Sequence, residues 1–453
     1  MEGVNEVGYF GRLRQFSRNA RLYLLHVIGM DLIHGAWEVL FNLYLLAVGF
    51  DIRFVGIRIA VLGIAGSLAA IPAGRLADRI DRKWGFIIGD GGGAACALIL
   101  IMSTDATMIL AFSAGSACFS ALHHVTESPF MAENSEPGER IHLFSVEQGL
   151  ATLAAMAGAL IAGFLPQHLM VSEGMTLIEA YRWAVHIGIA WWFLSLIPAI
   201  MLKRYVSEEV AQARAEVALE ERSGWLSAIR TPKTVYRFVV IGTLLSLGAG
   251  FVLRLANVFF HYDLHAHAQE IGMVFAAGSF FLAIGAFAVP LVVERLGEVA
   301  TVVWTRFAAI PFILLIGYAP ELASPETVVS LAGLAWVLRT SLFNMSGPAF
   351  EAFSMGQLHP TERATYIGIS RLFGSAMAAV GGYLGAVLMS NGDFRTPFIV
   401  MAVLYAISTG LFMRWFESTS GLSDPRSLRE SVSYTHLRAH ETDSYLVCRL
   451  LLE

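Results

Sequence analysis

The chain has 453 residues, of which 56% are hydrophobic and only 15% are charged, and its mean hydropathy is +0.61. Soluble domains carry roughly 25% charged residues, so this composition excludes an ordinary soluble protein, a secreted disulfide scaffold and a disordered chain. The net charge of −5 excludes the broad basic surface that attracts nucleic acid.

Twelve apolar stretches follow one another along the chain, and each is long enough for a transmembrane helix of roughly 20 residues. We therefore predict an all-α membrane protein with twelve spans in two bundles of six. The predicted parts are a cytoplasmic N-terminus (1–20), a first bundle (21–202), a charged linker (203–236), a second bundle (237–416) and a tail (417–453). The predicted spans 1 to 12 are 21–49, 54–76, 84–103, 106–130, 142–165, 182–202, 237–260, 270–293, 299–317, 326–350, 364–389 and 396–416.

Basic residues concentrate in alternate loops between these spans. Cytoplasmic loops carry an excess of lysine and arginine, so the asymmetry predicts a multi-pass protein of the cytoplasmic membrane with both termini in the cytoplasm. The opposite loops hold little beyond Arg53, Arg182 and Arg395. The loops assigned to the cytoplasm hold Arg12, Arg14, Arg18, Arg21, Arg79, Arg82, Lys83, Arg140, Lys203, Arg204, Arg230, Lys233, Arg295 and Arg363.

The first span carries a stripe of polar side chains. At 100° per residue, Glu38 lies about 20° from Asp31, Asn42 lies about 20° on the other side, and His34 lies about 60° away. Charged groups at the bilayer centre cost about 2.5–3.5 kcal/mol each, so they need an explanation. We predict that Asp31 or Glu38 binds a proton during transport and that His34 shares this role; a structural ion pair is the alternative.

The end of the fourth span is also polar. His123 and Glu127 are four residues apart and lie on one face of the helix, beside His124. Two metal ligands on one helix are a weak signal, so we favour a hydrogen-bonded cluster over a metal site and predict no cofactor. The same groups, or His34 with Glu38, are the acid–base candidates if the chain is an enzyme.

The second half carries buried arginines. Arg339 lies near the middle of span 10, and its guanidinium suits a carboxylate or a phosphate, so its partner is either the substrate or Glu38. Arg306 is expected to have a partner within the protein. Arg254 and Arg371, together with Arg58 and Asp90 of the first half, lie nearer span ends and are not expected to bind ligand. The predicted substrate-binding residues are Arg339, Asn42, Trp37, Phe41 and Trp336.

The two halves repeat one another at matched positions. An acidic residue followed by arginine comes after spans 2 and 8, and again after spans 4 and 10. Two independent motifs recur at nearly the same separation along the chain. This indicates two parallel six-helix repeats with a site between them. The matched pairs are Asp78-Arg79 with Glu294-Arg295, 216 residues apart, and Glu139-Arg140 with Glu362-Arg363, 223 residues apart.

The loop after span 2 carries most of a known pattern, Gly-x-x-x-Asp-Arg-x-Gly-Arg-Arg/Lys, with Asp81 in place of its second glycine. With this loop, its position and its degenerate copy at 290–298, the chain resembles the major facilitator superfamily over about residues 12–416. The resemblance implies two pseudo-symmetric bundles around a cavity lined by spans 1, 4, 7 and 10. It also implies gating at this loop, with Asp78 pairing with an arginine across the halves. The predicted gating residues are Gly74, Asp78, Arg79, Arg82, Lys83, Glu294 and Arg295.

These features together predict a secondary transporter that moves a small organic solute by alternating access, without ATP and with proton coupling as the leading energy source. We expect it to work as a monomer in the lipid bilayer. An organic anion and a drug-like cation both remain open as substrates, as do import and efflux. The alternatives are a membrane-embedded acid–base enzyme and a non-transporting sensor. The sequence from Ser431 onward does not fit the internal repeat of the two halves. We interpret it as a non-native end, with a regulatory tail as the alternative.

Overall fold

The computed structural model describes residues 16–135, 137–203, 229–359 and 362–416. Within them, twelve spans are long and apolar enough to cross a membrane, which confirms the predicted number. The predicted tail and most of the linker lie outside the described residues. The helices of spans 1 to 6 are Arg18–Val48, Ile52–Arg79, Arg82–Met102, Ala106–Glu133, Pro137–Ser172 and Leu177–Ile200. Those of spans 7 to 12 are Pro232–Val252 continued by Ala256–Tyr262, then Ala268–Leu296, Glu298–Gly317, Val328–Gln357, Arg363–Ser390 and Thr396–Phe416.

Side chains at the helix starts explain where several spans begin. Ser17, Asp51, Asp105 and Thr176 each accept a hydrogen bond from a backbone N–H of the first turn, which satisfies donors that have no partner inside the helix. The last of these forms a reciprocal capping box with Glu179. Span 6 therefore begins five residues before its predicted start at 182. Span 5 is longer than predicted at both ends, because polar residues there still belong to the helix.

The helices of each half pack closely where glycines remove side chains. In the first half, a Cβ at Gly35 would collide with the backbone of Ala155, and one at Gly158 with Leu32, so spans 1 and 5 lie backbone against backbone. In the second half, Gly250 and Gly381 bring spans 7 and 11 together in the same way. Small residues allow such close approach between helices in membranes.

The two halves touch each other mainly at one end. Span 2 packs on span 11, and span 5 on span 8. The contacts of Gly56 with Ala386 and of Gly163 with Gly272 lie in the half of the bundle away from the chain termini. Toward the termini, no such contact forms at the glycines of these spans: added Cβ atoms at Gly74, Gly149 and Gly368 would meet no atom within 4 Å.

Span 7 is interrupted near the end where the two halves touch, which we call the closed end. Its regular helix ends at Val252, a single 3₁₀ turn spans Leu253–Leu255, and a short helix follows from Ala256 to Tyr262. A broken helix leaves backbone groups without intrahelical partners, which in a membrane is tolerated where the backbone lines a cavity or is buried in protein. This break faces span 1.

Candidate substrate cavity between the two halves

A cavity of about 740 Å³ lies between the halves, beneath the closed end. This is within the range of pockets that hold small organic molecules. Its wall contains side chains from spans 1, 2 and 5 of the first half and from spans 7 to 10 and 12 of the second. The charged residues of the wall are Glu38, Arg58, Arg254, Arg306 and Arg339.

The polar stripe of span 1 divides into two parts. Glu38, Asn42 and Trp37 line the cavity. His34 lies about one turn and Asp31 about two turns nearer the termini than Glu38, and neither is part of this wall. They bind each other, with 3.2 Å between the His34 Nδ1 and the Asp31 Oδ1. The stripe thus provides one carboxylate to the cavity and an adjacent imidazole–carboxylate pair.

Two asparagines join the halves at the break in span 7. Asn42 donates to the carbonyl of Arg254 at 2.8 Å and to the Oδ1 of Asn257 at 3.0 Å. Asn257 donates in return to the carbonyls of Glu38 and Val39. These bonds satisfy the carbonyl freed by the break and hold span 1 against span 7 at the closed end. Asn42 is buried, so it serves this contact as well as the cavity wall.

Arg58 lies beside this contact. Its guanidinium donates to the Asn42 Oδ1 at 3.3 Å and stands over the Phe41 ring at 4.6 Å. Phe41 itself is fully buried, stacks on Trp37 at 3.9 Å between ring centroids, and is not part of the cavity wall. Phe41, which we predicted to bind substrate, therefore packs against Trp37 and Arg58 and does not line the cavity.

Arg306 and Arg339 share an aromatic cage in the second half. Both stand over the Phe343 ring, at 5.6 and 5.2 Å, and both are almost fully buried. The Arg306 Nε donates to the Ser346 Oγ at 2.9 Å, and an Arg339 Nη donates to the Tyr405 hydroxyl at 3.0 Å. Arg306 thus has the partner expected within the protein, but it also lines the cavity. Trp336 lines the wall next to Arg339.

Among the described residues, none of the four cavity arginines has a carboxylate within 4.0 Å. Glu38 is therefore not the ion-pair partner of Arg339 in this conformation. Several guanidinium nitrogens also have no hydrogen-bond acceptor: Nε and Nη1 of Arg58, Nη1 of Arg306 and Nε of Arg339. Buried donors of this kind carry a free-energy cost of about 1–3 kcal/mol each.

Three buried ionisable residues of the first half, outside the cavity wall, contact one another. His26, Asp90 and His123, from spans 1, 3 and 4, are at most 2% exposed and form one triad around the Asp90 Oδ2. The distances to the His26 Nε2 and the His123 Nδ1 are 3.0 and 2.8 Å, so both are hydrogen bonds. The His26 Nδ1 contacts the carbonyl of Ser195 at 2.8 Å, and since a carbonyl only accepts, this nitrogen carries a proton. The cluster expected around His123 and Glu127 is thus centred on Asp90, which is too deep in span 3 to reach an interface.

The loop after span 2 shows an ion pair within one half. Arg82 donates to the Glu133 carboxylate at 3.2 and 3.3 Å and to the carbonyl of Ala77. Asp81 has a φ of −64° and caps span 3 by accepting from the Lys83 N–H, so this chain needs no glycine at the position.

The other predicted gating residues are dispersed in this conformation. Arg79, Glu294 and Arg295 are exposed, and Gly74 and Lys83 are half-buried. The side chain of Asp78 lies outside the described residues, so its pairing across the halves stays a prediction.

Glu362, one of the repeated acidic residues, anchors the start of span 7. Its carboxylate accepts from the backbone N–H groups of Arg230, Thr231 and His359 at 2.7–2.9 Å and from the Thr231 hydroxyl. Burial opposes ionisation of this carboxyl, but the hydrogen bonds from Thr231 and its neighbours outweigh it and lower the pKa to about 2. The residue therefore fixes where the second bundle begins.

Sequence reasoning missed two members of the cavity. Arg58 and Arg254 were expected to reach the membrane interface, and the structure instead places both in the cavity wall. Their nearness to span ends suggested snorkelling, but this cavity reaches close to the closed end. Arg371 is exposed and lies outside the wall, as expected for a residue that does not bind ligand.

A family model and solved structures match this chain. The model described as "Major Facilitator Superfamily" matches residues 29–355 and, again, 239–443. No curated protein matches in sequence. The nucleoside transporter NupG has a TM-score of 0.67 at 15% identity, with 88% of this chain and 99% of that chain covered. A bacterial homologue of the iron transporter ferroportin in an inward-facing state gives 0.67 at 17%, with 88% and 98% covered. A POT family transporter in complex with a peptide conjugate gives 0.68 at 13%, with 89% and 96% covered.

Proposed function

Since the chain belongs to the Major Facilitator Superfamily and is a multi-pass membrane protein, we propose that it is a secondary active transporter of a small organic solute. The observation that carries the proposal is the cavity of about 740 Å³ between two halves that touch mainly at one end. A carrier of this design exposes one site to each side of the membrane in turn.

The described conformation is one end state of this cycle. The Asn42–Asn257 contact and the glycine contacts of span 2 with span 11 close one side, and the halves separate toward the termini. The excess of lysine and arginine in the loops on the side of the termini supports a cytoplasmic location for both termini. The membrane is then the cytoplasmic membrane of the cell. The conformation is then inward-facing, and rocking of the halves opens the opposite side.

Glu38 is the proposed proton-binding group. It is the only described carboxylate in the cavity wall, which it shares with Arg254 of the second half. Protonation would remove its attraction for Arg254 and so alter the balance between the two halves. The Asp31–His34 pair lies next to it on span 1 and is proposed to pass the proton between Glu38 and the open side.

Flux across proteoliposomes tests the proposal. The purified full chain should accumulate a labelled solute from a metabolite panel when an inward or outward pH gradient is imposed, and less without it. Glu38→Gln should abolish the response to the gradient but retain exchange of solute for solute. Equal uptake with and without the gradient would exclude coupling while leaving transport in place.

The same assay separates the remaining alternatives. A sensor would bind a solute without moving it. An enzyme would convert the solute on one side, and its acid–base candidates, His123 and Glu127 among them, are already engaged in the Asp90 cluster or adjacent to it. Solute that crosses chemically unchanged supports the transporter, since neither alternative produces it.

A further inference from the structure

The four arginines of the cavity point to the charge of the substrate. They come from four helices, spans 2, 7, 9 and 10, and they share one wall with a single described carboxylate. Each guanidinium costs about 2.5–3.5 kcal/mol to place at the centre of a bilayer. Four such groups in one chamber also repel each other, as Arg58 and Arg254 do. A structural role would call for carboxylate partners, and the described residues provide none within 4.0 Å.

The contacts that these arginines make do not offset the free energy of hydration that their guanidiniums lose on burial. Their hydrogen-bond acceptors are neutral groups of Asn42, Ser346 and Tyr405. Stacking on aromatic rings contributes roughly 0.5–2 kcal/mol per contact, which is less than the several kcal/mol that an ion loses on leaving water. Three of the four guanidiniums retain N–H groups with no acceptor. The described residues therefore provide these guanidiniums with too few hydrogen-bond acceptors and, apart from Glu38, with no negative charge in the cavity wall.

The arginines form two pairs at different depths. Arg58 and Arg254 flank the Asn42 contact at the closed end, and Arg306 and Arg339 share Phe343 in the second half. Arg58 lies about 9 Å along span 2 from its closed end, whereas Arg339 lies about 17 Å along span 10, at 1.5 Å per residue. Two separated pairs suit a solute with two anionic groups better than a single charge. The aromatic rings of the same wall, Trp37, Trp336 and Phe343, suit an organic body.

We propose that the transported solute is an organic anion with at least two negative charges, held through carboxylate or phosphate oxygens by Arg306 and Arg339 on one side and by Arg58 and Arg254 on the other. Planar guanidiniums bind such oxyanions through paired hydrogen bonds. The inference rests on the proposed transport function and names its substrate class. The cation alternative would require acidic residues in the wall, and Glu38 alone faces four arginines.

Thermal stabilisation of the purified full chain in detergent tests the proposal without a transport assay. The probes are succinate, citrate and glycerol 3-phosphate, with acetate as a monoanion and tetraphenylphosphonium as an organic cation. Dioctanoyl phosphatidic acid carries the phosphate as a lipid, and its comparison with glycerol 3-phosphate tells whether the oxyanion comes from a soluble metabolite or a lipid headgroup. We expect at least one multivalent probe to raise the melting temperature, and acetate and the cation to have no effect.

Arg339→Gln and Arg306→Gln should each weaken the binding of the stabilising anion about thirtyfold or more, which corresponds to the lower limit of about 2 kcal/mol for truncating one partner of a charged pair. Arg371→Gln is the matched control, because this arginine is exposed and outside the wall, and it should bind as the original chain does. Selective stabilisation by the cation, or equal loss in Arg371→Gln, would overturn the anion assignment. Transport of a neutral or cationic solute would overturn it too, yet leave the transporter function intact.

Discussion

The buried charges outside the cavity of the first half and those in the cavity wall of the second half are arranged in opposite ways. In the first half, Asp90 binds His26 and His123, and Arg82 binds Glu133, so these charges have partners on neighbouring helices of the same half. By contrast, Arg58, which lines the cavity, has no carboxylate partner among the described residues. In the second half, Arg306 and Arg339 bind only neutral groups and aromatic rings. Paired charges hold helices together, whereas unpaired charges beside a cavity indicate a missing partner. The comparison separates the residues that stabilise the protein from those that we assign to the solute.

Asp90→Asn should have the largest effect on stability. Removing one member of a buried charged group costs about 3–5 kcal/mol, and here it removes the carboxylate that both histidine rings contact. The melting temperature in detergent should fall strongly. Asp105→Asn is the matched control, since asparagine caps a helix about as well as aspartate. If the two variants have the same melting temperature, the Asp90 triad does not stabilise the first half.

Arg306→Met should change stability in the other direction. A buried guanidinium without a carboxylate partner loses hydration and gains little, and a methionine of similar length removes this penalty. We expect the melting temperature to stay level or to rise, by about 1 kcal/mol in the free energy of unfolding, while anion binding is lost. A destabilisation as large as that of Asp90→Asn would contradict the distinction between the halves.

Glu362 gives the second half one paired anchor, and its effect should depend on pH. The pKa of its carboxyl is lowered from 4.5 to about 2 in the folded protein. Its stabilisation is therefore complete above about pH 4.5 and is lost as the pH falls toward 2. Glu362→Gln should lower stability at pH 7 by about 2 kcal/mol. Melting curves between pH 7 and pH 3 should converge for the two proteins; a constant gap would contradict the anchor.

The contact between the halves should show the smallest effect. Asn42→Ala removes the bonds to the Arg254 carbonyl and to Asn257, worth about 1 kcal/mol each. The opposite-facing state should become roughly thirtyfold more populated relative to the described state, since about 1.4 kcal/mol corresponds to a factor of ten. With the native cysteines replaced, labelling of Ser246→Cys, a cavity residue, by an impermeant maleimide from the closed side should accelerate accordingly. Asn344→Ala is the control because Asn344 binds within its own helix; equal acceleration there would contradict the assignment.

The sequence was sufficient for the spans because each is set by the apolar length that a bilayer requires. Span 12 has its predicted bounds, and span 5 runs about five to seven residues further at each end. Helical spacing put Glu38 and Asn42 on one face of span 1, and both line the cavity, whereas Asp31 and His34 of the same stripe do not. These features depend on local pattern, which one sequence contains.

The arginine pairs depend on features that local pattern does not encode. Arg254 faces the cavity because span 7 breaks at Leu253–Leu255, and no proline marks that break. Arg58 reaches the cavity because the halves close over it. His26 was missed altogether: an isolated histidine in an apolar stretch gave no sign that Asp90, 64 residues away, would bind it.

An experimental structure with the most stabilising multivalent anion tests the central claim most directly. The account predicts the anion between the halves, with oxygens within hydrogen-bond distance of Arg306 or Arg339 and a second anionic group toward Arg58 and Arg254. An anion bound only at the surface loops, with the guanidiniums of Arg58, Arg306 and Arg339 still bound to Asn42, Ser346 and Tyr405, would contradict it.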